Sequence, residues 1–214
     1  MPDTIHSLVC FAVPEEAAPF RRRRPRGTEI LVTRMGAAQA RQRFLERIAS
    51  GFPARVFTCG FAGALNPNLR VGTVVYDTDP EPNPGLEPAL IAAGAVRGTF
   101  TCTRHVAVTA GQKTALRAST GADVVEMESG VIRALCRDRG IPSATIRVIS
   151  DSADEDLPVD FNALMRPDGR LDFPGLLLSL MRSPGRIGAM IRLGRNTSRA
   201  AANLAKVLDA VTNP

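Results

Sequence analysis

Short apolar runs alternate with longer helical patterns along the whole chain, and this alternation limits the possible fold more than any other feature of the sequence. The clearest buried strand is Ala144 to Ser150, ATIRVIS. Further strands read at Ser7 to Val13, Glu29 to Thr33, Arg55 to Cys59, Val71 to Tyr76 and Asp123 to Met127, with an extended stretch from Thr99 to Thr109. Helical periodicity marks Ala37 to Ser50, with Ala40, Phe44, Leu45 and Ile48 on one face, and Glu128 to Arg139, with Val131, Ile132, Leu135 and Cys136 on one face. Gly140 and Pro142 end the second of these. Leu86 to Ala95, Gln112 to Thr120, Leu176 to Met190 and Ser198 to Val211 read as further helices, and the proline-rich Asp77 to Pro88 as an irregular loop. The pattern predicts an α/β fold: a three-layer αβα sandwich with a central mixed, mostly parallel sheet. A length of 214 residues, 44% of them hydrophobic, suits a single domain over 1–214, with a C-terminal helical extension over about 172–214.

The formal net charge is +6, and of 27 basic residues only Lys113 and Lys206 are lysines. An arginine excess reads either as the coding bias of a GC-rich genome or as an anionic partner. With 5% aromatic residues, no Trp and Tyr76 as the sole tyrosine, the stacking platforms of single-strand nucleic-acid readers are missing, so no nucleic-acid partner is expected. Cys10, Cys59, Cys102 and Cys136 form no C-x-x-C pair, and only His6 and His105 could add imidazole. No metal and no other cofactor is expected. Cys10, Cys59 and Cys102 sit in apolar or strand-like surroundings and read as buried small residues in a reducing cytoplasm. Ser7 to Val13 is too short for a signal peptide, and no run approaches the roughly 20 apolar residues of a membrane span.

Open α/β sheets bind ligands at the carboxyl ends of their strands, and three polar features fall there. Gly60-Phe61-Ala62-Gly63 follows a strand, and its small residues let backbone N–H groups approach a ligand, or simply make a tight turn. Glu126 and Glu128 flank Met127 where a strand gives way to a helix; two apart, they share a face of a strand, or Glu128 merely complements the helix N-terminus. Asp151 ends ATIRVIS, with Asp154, Glu155 and Asp156 close behind. It reads as a cap, or as a general acid whose protonated form is favoured by acidic neighbours. Pro14-Glu15-Glu16 reads as a solvated loop, or as the source of a carboxylate that activates water.

Val125-Glu126-Met127-Glu128-Ser129, followed by Arg147-Val148-Ile149-Ser150-Asp151, resembles the nucleoside phosphorylase and nucleosidase superfamily, most closely the bacterial methylthioadenosine/S-adenosylhomocysteine nucleosidases. Gly60 to Leu65 with Val71 to Val75, and more loosely Ala12 to Glu16, extend the resemblance over roughly residues 7 to 160. Ala153 to Phe161 is also similar to a narrower branch, the hopanoid-associated phosphorylases, which act on an adenosyl lipid. The resemblance implies cleavage of the N-glycosidic bond of a purine nucleoside, with adenine the expected base; the alternative is a non-catalytic nucleoside-binding protein. Asp151 then protonates the leaving base and Glu16 activates water. Glu128 grips the ribose hydroxyls under Met127, while Glu126, Ser150 and Gly60 to Gly63 line the substrate. Backbone near His105 and Val106 reads the base. The partner is a small-molecule nucleoside, and a homodimer is implied. No G-D-P-like phosphate loop is present and Phe61 follows the first glycine, which favours water over phosphate, although Arg21 to Arg24 or Arg55 leave phosphate contacts open. Leu176 to Leu193 interleaves apolar residues with Arg182, Arg186 and Arg192, followed by Arg195 and Arg199. This stretch reads as a packed helical cap or dimer contact with a solvated basic face, or as an amphipathic surface making peripheral membrane contact.

Overall fold

The computed structural model describes residues 7–79, 85–166 and 168–212. Their strands are β1 (Ser7–Phe11), β2 (Thr28–Val32), β3 (Val56–Ala64), β4 (Val74–Thr78), β5 (Val96–Arg97), β6 (Phe100–Cys102), β7 (Val124–Glu126) and β8 (Ser143–Asp151). The helices are α1 (Pro14–Arg21), α2 (Ala37–Ile48), α3 (Leu86–Ala92), α4 (Ala110–Thr120), α5 (Ser129–Arg137), α6 (Phe173–Arg182) and α7 (Ile187–Thr212). All strands join one sheet in the order β2-β1-β3-β8-β4-β5, with β7 and β6 continuing from the far half of β3. Neighbours β2, β1, β3 and β8 run parallel, while β4 pairs antiparallel to β8 and β7 antiparallel to β3. The sheet is therefore mixed and mostly parallel, as the alternation of strands and helices requires.

Side-chain alternation along the strands divides the core into two faces. Val9 and Phe11 of β1, with Ala144, Ile146 and Val148 of β8, meet Phe20 of α1, Leu90 of α3, and Leu204 and Leu208 of α7. Leu8 and Cys10 of β1 point the other way, against Phe44 and Ile48 of α2 and Ile132 and Cys136 of α5. The apolar faces read on α2 and α5 are thus the faces that pack. None of the helices is long and apolar enough to cross a membrane, among the described residues.

Several local expectations give way. Gly60 to Gly63 is not a turn after a strand. It lies inside the nine-residue β3, because β8 pairs with it all the way to Gly63, through a register shift at Ala62 and Gly63. Pro14-Glu15-Glu16 is the first turn of α1 rather than a loop, with Pro14 where a missing N–H costs nothing. The extended stretch from Thr99 shrinks to Phe100–Cys102, and α4 starts at Ala110 behind a Thr109–Gln112 capping box. Cys102 is exposed rather than buried. The helix read from Leu176 to Met190 breaks at Ser183 and Pro184, where a single turn of tighter helix intervenes. Residues 80–84 of the proline-rich loop lie outside the described residues.

α7 serves two purposes. From Ala200 onward it packs into the main core, whereas its first half and all of α6 contribute no buried residue. Leu208→Ala should therefore lower stability by about 2–5 kcal/mol. Leu177→Ala, on exposed α6, should change it by less than about 0.5 kcal/mol, both read from denaturant midpoints.

Candidate active site

β1, β3 and β8 end side by side at their carboxyl termini, and there they open a cavity of about 260 Å³. Its wall includes Val13 and Glu16 beyond β1, Phe61 to Gly63 of β3, Ser150 and Asp151 of β8, and Glu126, Met127 and Glu128 between β7 and α5. Leu157, Phe161, Leu193 and Thr197 close the remaining side. Most of the residues expected at the site therefore share one cavity. Gly60 stands behind its wall, and His105 is exposed and lies outside it.

Arg147 organises the carboxylates. It sits at the centre of β8 with a side chain 2% exposed, and its Nη2 meets Glu126 Oε2 at 2.5 Å and Glu128 Oε2 at 3.3 Å. Its Nη1 donates to the carbonyl of Cys59. Glu16 reaches the same spot from the first turn of α1. Its Oε2 accepts from the backbone N–H groups of Ala12 and Val13, and its Oε1 from that of Phe61 at 2.7 Å. The glycine at 60 is what lets these groups approach. Its φ is +145°, and a Cβ there would stand 2.7 Å from both Arg147 Nη1 and Glu16 Oε1. At Gly63 a Cβ would lie 3.1 Å from Asp151 Oδ2. Both glycines of β3 thus give room to charged groups of the cavity rather than flexibility to a turn.

The carboxylates hold different electrostatic positions. Burial pushes Glu16 up to about 7, even though Arg147 and the Phe61 amide pull the other way. Burial likewise raises Glu128, against the pull of Arg147. Burial also works against ionised Glu126, but Arg147, Cys102 and Ser129 outweigh it and hold this carboxyl below its ordinary value. Five donors meet Glu126: Arg147, the Glu128 and Ser129 amides, the Ser129 hydroxyl and the Cys102 thiol. Its acceptor capacity is spent within the protein, so it anchors Arg147 and caps α5. Glu128 keeps one oxygen on the Gly36 amide and one on Arg147.

Asp151 has a partner that its sequence neighbours did not suggest. Lys113 is the only buried residue of α4, and its Nζ lies 2.6 Å from Asp151 Oδ2. The same ammonium donates to the carbonyls of Ser152 and Glu155, so all three of its protons are placed. Ser150 Oγ donates to the other oxygen, Oδ1, at 2.6 Å. The acids expected to crowd Asp151 face elsewhere: Asp156 accepts from the Ala110 amide, Glu155 pairs with Arg192, and Asp154 is exposed. Also in the cavity wall, the Val106 N–H and C=O are both engaged by the carboxamide of Asn162, at 2.7 and 3.0 Å.

Residues 78–178 match the family model of the phosphorylase superfamily, a span that holds Glu126, Glu128, Arg147 and Asp151. The chain carries the nucleoside phosphorylase and nucleosidase fold. Among similar solved structures is a 5′-methylthioadenosine/S-adenosylhomocysteine nucleosidase from Helicobacter pylori, crystallised with butyl-thio-DADMe-Immucillin-A; the TM-score is 0.70 at 16% identity over 97% of each chain. The futalosine hydrolase of Helicobacter pylori superposes with a TM-score of 0.69 at 16% identity over 98% of each chain. A nucleosidase from Neisseria meningitidis in complex with methylthio-immucillin-A gives 0.69 at 20% identity, covering 96% of this chain and 97% of that one. No curated protein matches the chain. At these identities the likeness is one of fold.

Arg147 and Lys113 were not singled out from the sequence. Arg147 did carry a signal, since an arginine inside an otherwise apolar buried strand must be paired. Lys113 carried none, because α4 shows no feature that distinguishes a buried lysine from a solvated one. Arg147→Met should leave buried carboxylates unpaired and cost about 3–5 kcal/mol near pH 8. The loss should shrink toward pH 5, where Glu16 and Glu128, both raised by burial, take up protons. Urea titrations at the two pH values measure it.

Proposed function

We propose that this chain hydrolyses the N-glycosidic bond of a purine nucleoside, with adenine as the base. The observation that carries the reading is the meeting of Asp151, Glu128 and Glu16 in one cavity. Breaking the bond to the base leaves an oxocarbenium-like sugar, the chemistry also met in glycoside hydrolysis. The site gathers four carboxylates around two cations, Arg147 and Lys113, and that excess of negative charge favours a sugar turning positive. Glu128 holds the ribose hydroxyls, with Met127 against the sugar. As the C–N bond breaks, its electron pair goes to the base. A proton passes to the base nitrogen through the Asp151 carboxyl, with the Lys113 ammonium behind it as the acid. Glu16 takes a proton from the water that attacks the sugar carbon.

The same charge count supports water over phosphate. The arginine in the cavity wall is Arg147, and it is already held by carboxylates. Arg55 instead donates to Ser7 and the Val211 carbonyl and lies over the Phe57 ring, and Arg23 pairs with Asp209, away from the cavity. The named nucleosidases of the same fold act on adenine nucleosides, and one was crystallised with 5′-methylthioadenosine in its active site.

Release of adenine from adenosine and 5′-methylthioadenosine tests the reading. Turnover should proceed in phosphate-free buffer, and an absolute requirement for phosphate would overturn the choice of water. Asp151→Asn should reduce the rate by about 10²- to 10⁴-fold with the fold intact; an unchanged rate would remove Asp151 from the chemistry.

The pH profile gives a separate check. Glu16 must be ionised to accept a proton, and burial sets its midpoint at about 7. The value of kcat/KM should therefore fall as pH drops through about 7, rather than near the 4.5 of an ordinary glutamate. A profile flat from pH 5 to 8 would rule Glu16 out as the base.

A further inference from the structure

The first half of the C-terminal helical region is left unpartnered by the fold. α6 buries none of its residues, and Phe173, Leu177 and Met181 repeat at a spacing of four along one stripe, between 61% and 69% exposed. Ile187 and Ile191, also four apart and exposed, continue the apolar surface onto the first turns of α7. The charged positions between them are basic. Residues 173–208 carry five arginines and Lys206 with no acidic residue, which equals the formal net charge of the whole chain. Arg182, Arg186, Arg192, Arg195 and Arg199 are all exposed, and of these Arg192 pairs with Glu155 of the segment after β8.

We propose that α6 and the start of α7 form a surface that docks onto an anionic lipid bilayer, with the apolar stripe in the acyl boundary and the arginines among the headgroups. Charge decides between possible occupants. A second copy meeting this face symmetrically would bring arginines onto arginines, with no acid in the segment to offset them. A nucleic acid would answer the arginines and leave the phenylalanine, leucine, methionine and isoleucine side chains in water. An anionic membrane answers both. The surface adjoins the site, because Leu193 and Thr197 of α7 line the cavity within two turns of Ile191. This part rests on the nucleosidase reading: a nucleoside with a long apolar 5′ substituent, lying in the bilayer, would meet the cavity beside its own membrane.

Flotation of the full chain with vesicles tests the surface. It should bind vesicles of equal parts phosphatidylcholine and phosphatidylglycerol, not phosphatidylcholine alone, and bind less as salt is raised. Replacing Arg182 and Arg186 with Gln should weaken binding about fivefold per arginine. Phe173→Ser with Met181→Ser should abolish it while cleavage of soluble 5′-methylthioadenosine stays unchanged. Absence of vesicle binding, or binding that survives the serine variant, overturns the proposal. So does a concentration-dependent dimer, seen by ultracentrifugation, that the same serine variant dissolves. Vesicle binding by a chain that cleaves no nucleoside would uphold the surface and sink the nucleosidase reading alone.

Discussion

One guanidinium makes the cavity possible. Glu16 arrives from α1, Glu126 from the end of β7 and Glu128 from the start of α5, and buried carboxylates drawn together from three elements repel one another strongly in a low-dielectric interior. Arg147, projecting from the middle of the sheet, is the charge that lets them coexist. It does not treat them alike. Glu126 takes the shortest contact and the most donors and stays ionised. Glu16 and Glu128 receive less compensation than burial costs them and titrate higher. The result is a graded set of acids built from one residue type, which is what a site needs if one carboxylate is to anchor and another is to exchange protons.

The second cation follows a different logic. Lys113 sits on α4, a helix whose remaining residues face solvent or are only partly covered. It ties Asp151 to the Ser152 and Glu155 carbonyls, so the strand end and the segment that follows are fixed by a single ammonium. The two cations divide the carboxylates between them, three around Arg147 and one on Lys113.

The architecture was legible because it depends on periodicity. ATIRVIS, the α2 and α5 faces and the alternation of strands with helices all report local geometry that the chain cannot avoid. The candidate cavity was legible in two of its acids, because Glu128 and Asp151 fall at strand ends where α/β sheets bind ligands. What was not legible depends on contacts distant in sequence. Gly60 to Gly63 reads locally as a turn and becomes a strand only because β8 is long enough to pair with it. Pro14-Glu15-Glu16 reads as solvated until Gly60 provides a place for the glutamate. Cys102 looks buried on an apolar strand, but β6 is short and leaves its last residue exposed, although the thiol reaches Glu126. Lys113 gains its partner from a residue 38 positions away.

The pairing of Asn162 with Val106 affects how such a cavity would choose its ligand. A peptide N–H and C=O side by side offer one donor and one acceptor, and the carboxamide satisfies both. An incoming base that presents the complementary pair exchanges one set of hydrogen bonds for another and gains little net affinity from them. A base that displaces the carboxamide without matching the pair leaves a peptide group stranded in an apolar wall. On the proposed reading, recognition at this edge works by penalising mismatch rather than by rewarding fit, and tight binding must come from the sugar and the charge that develops on it.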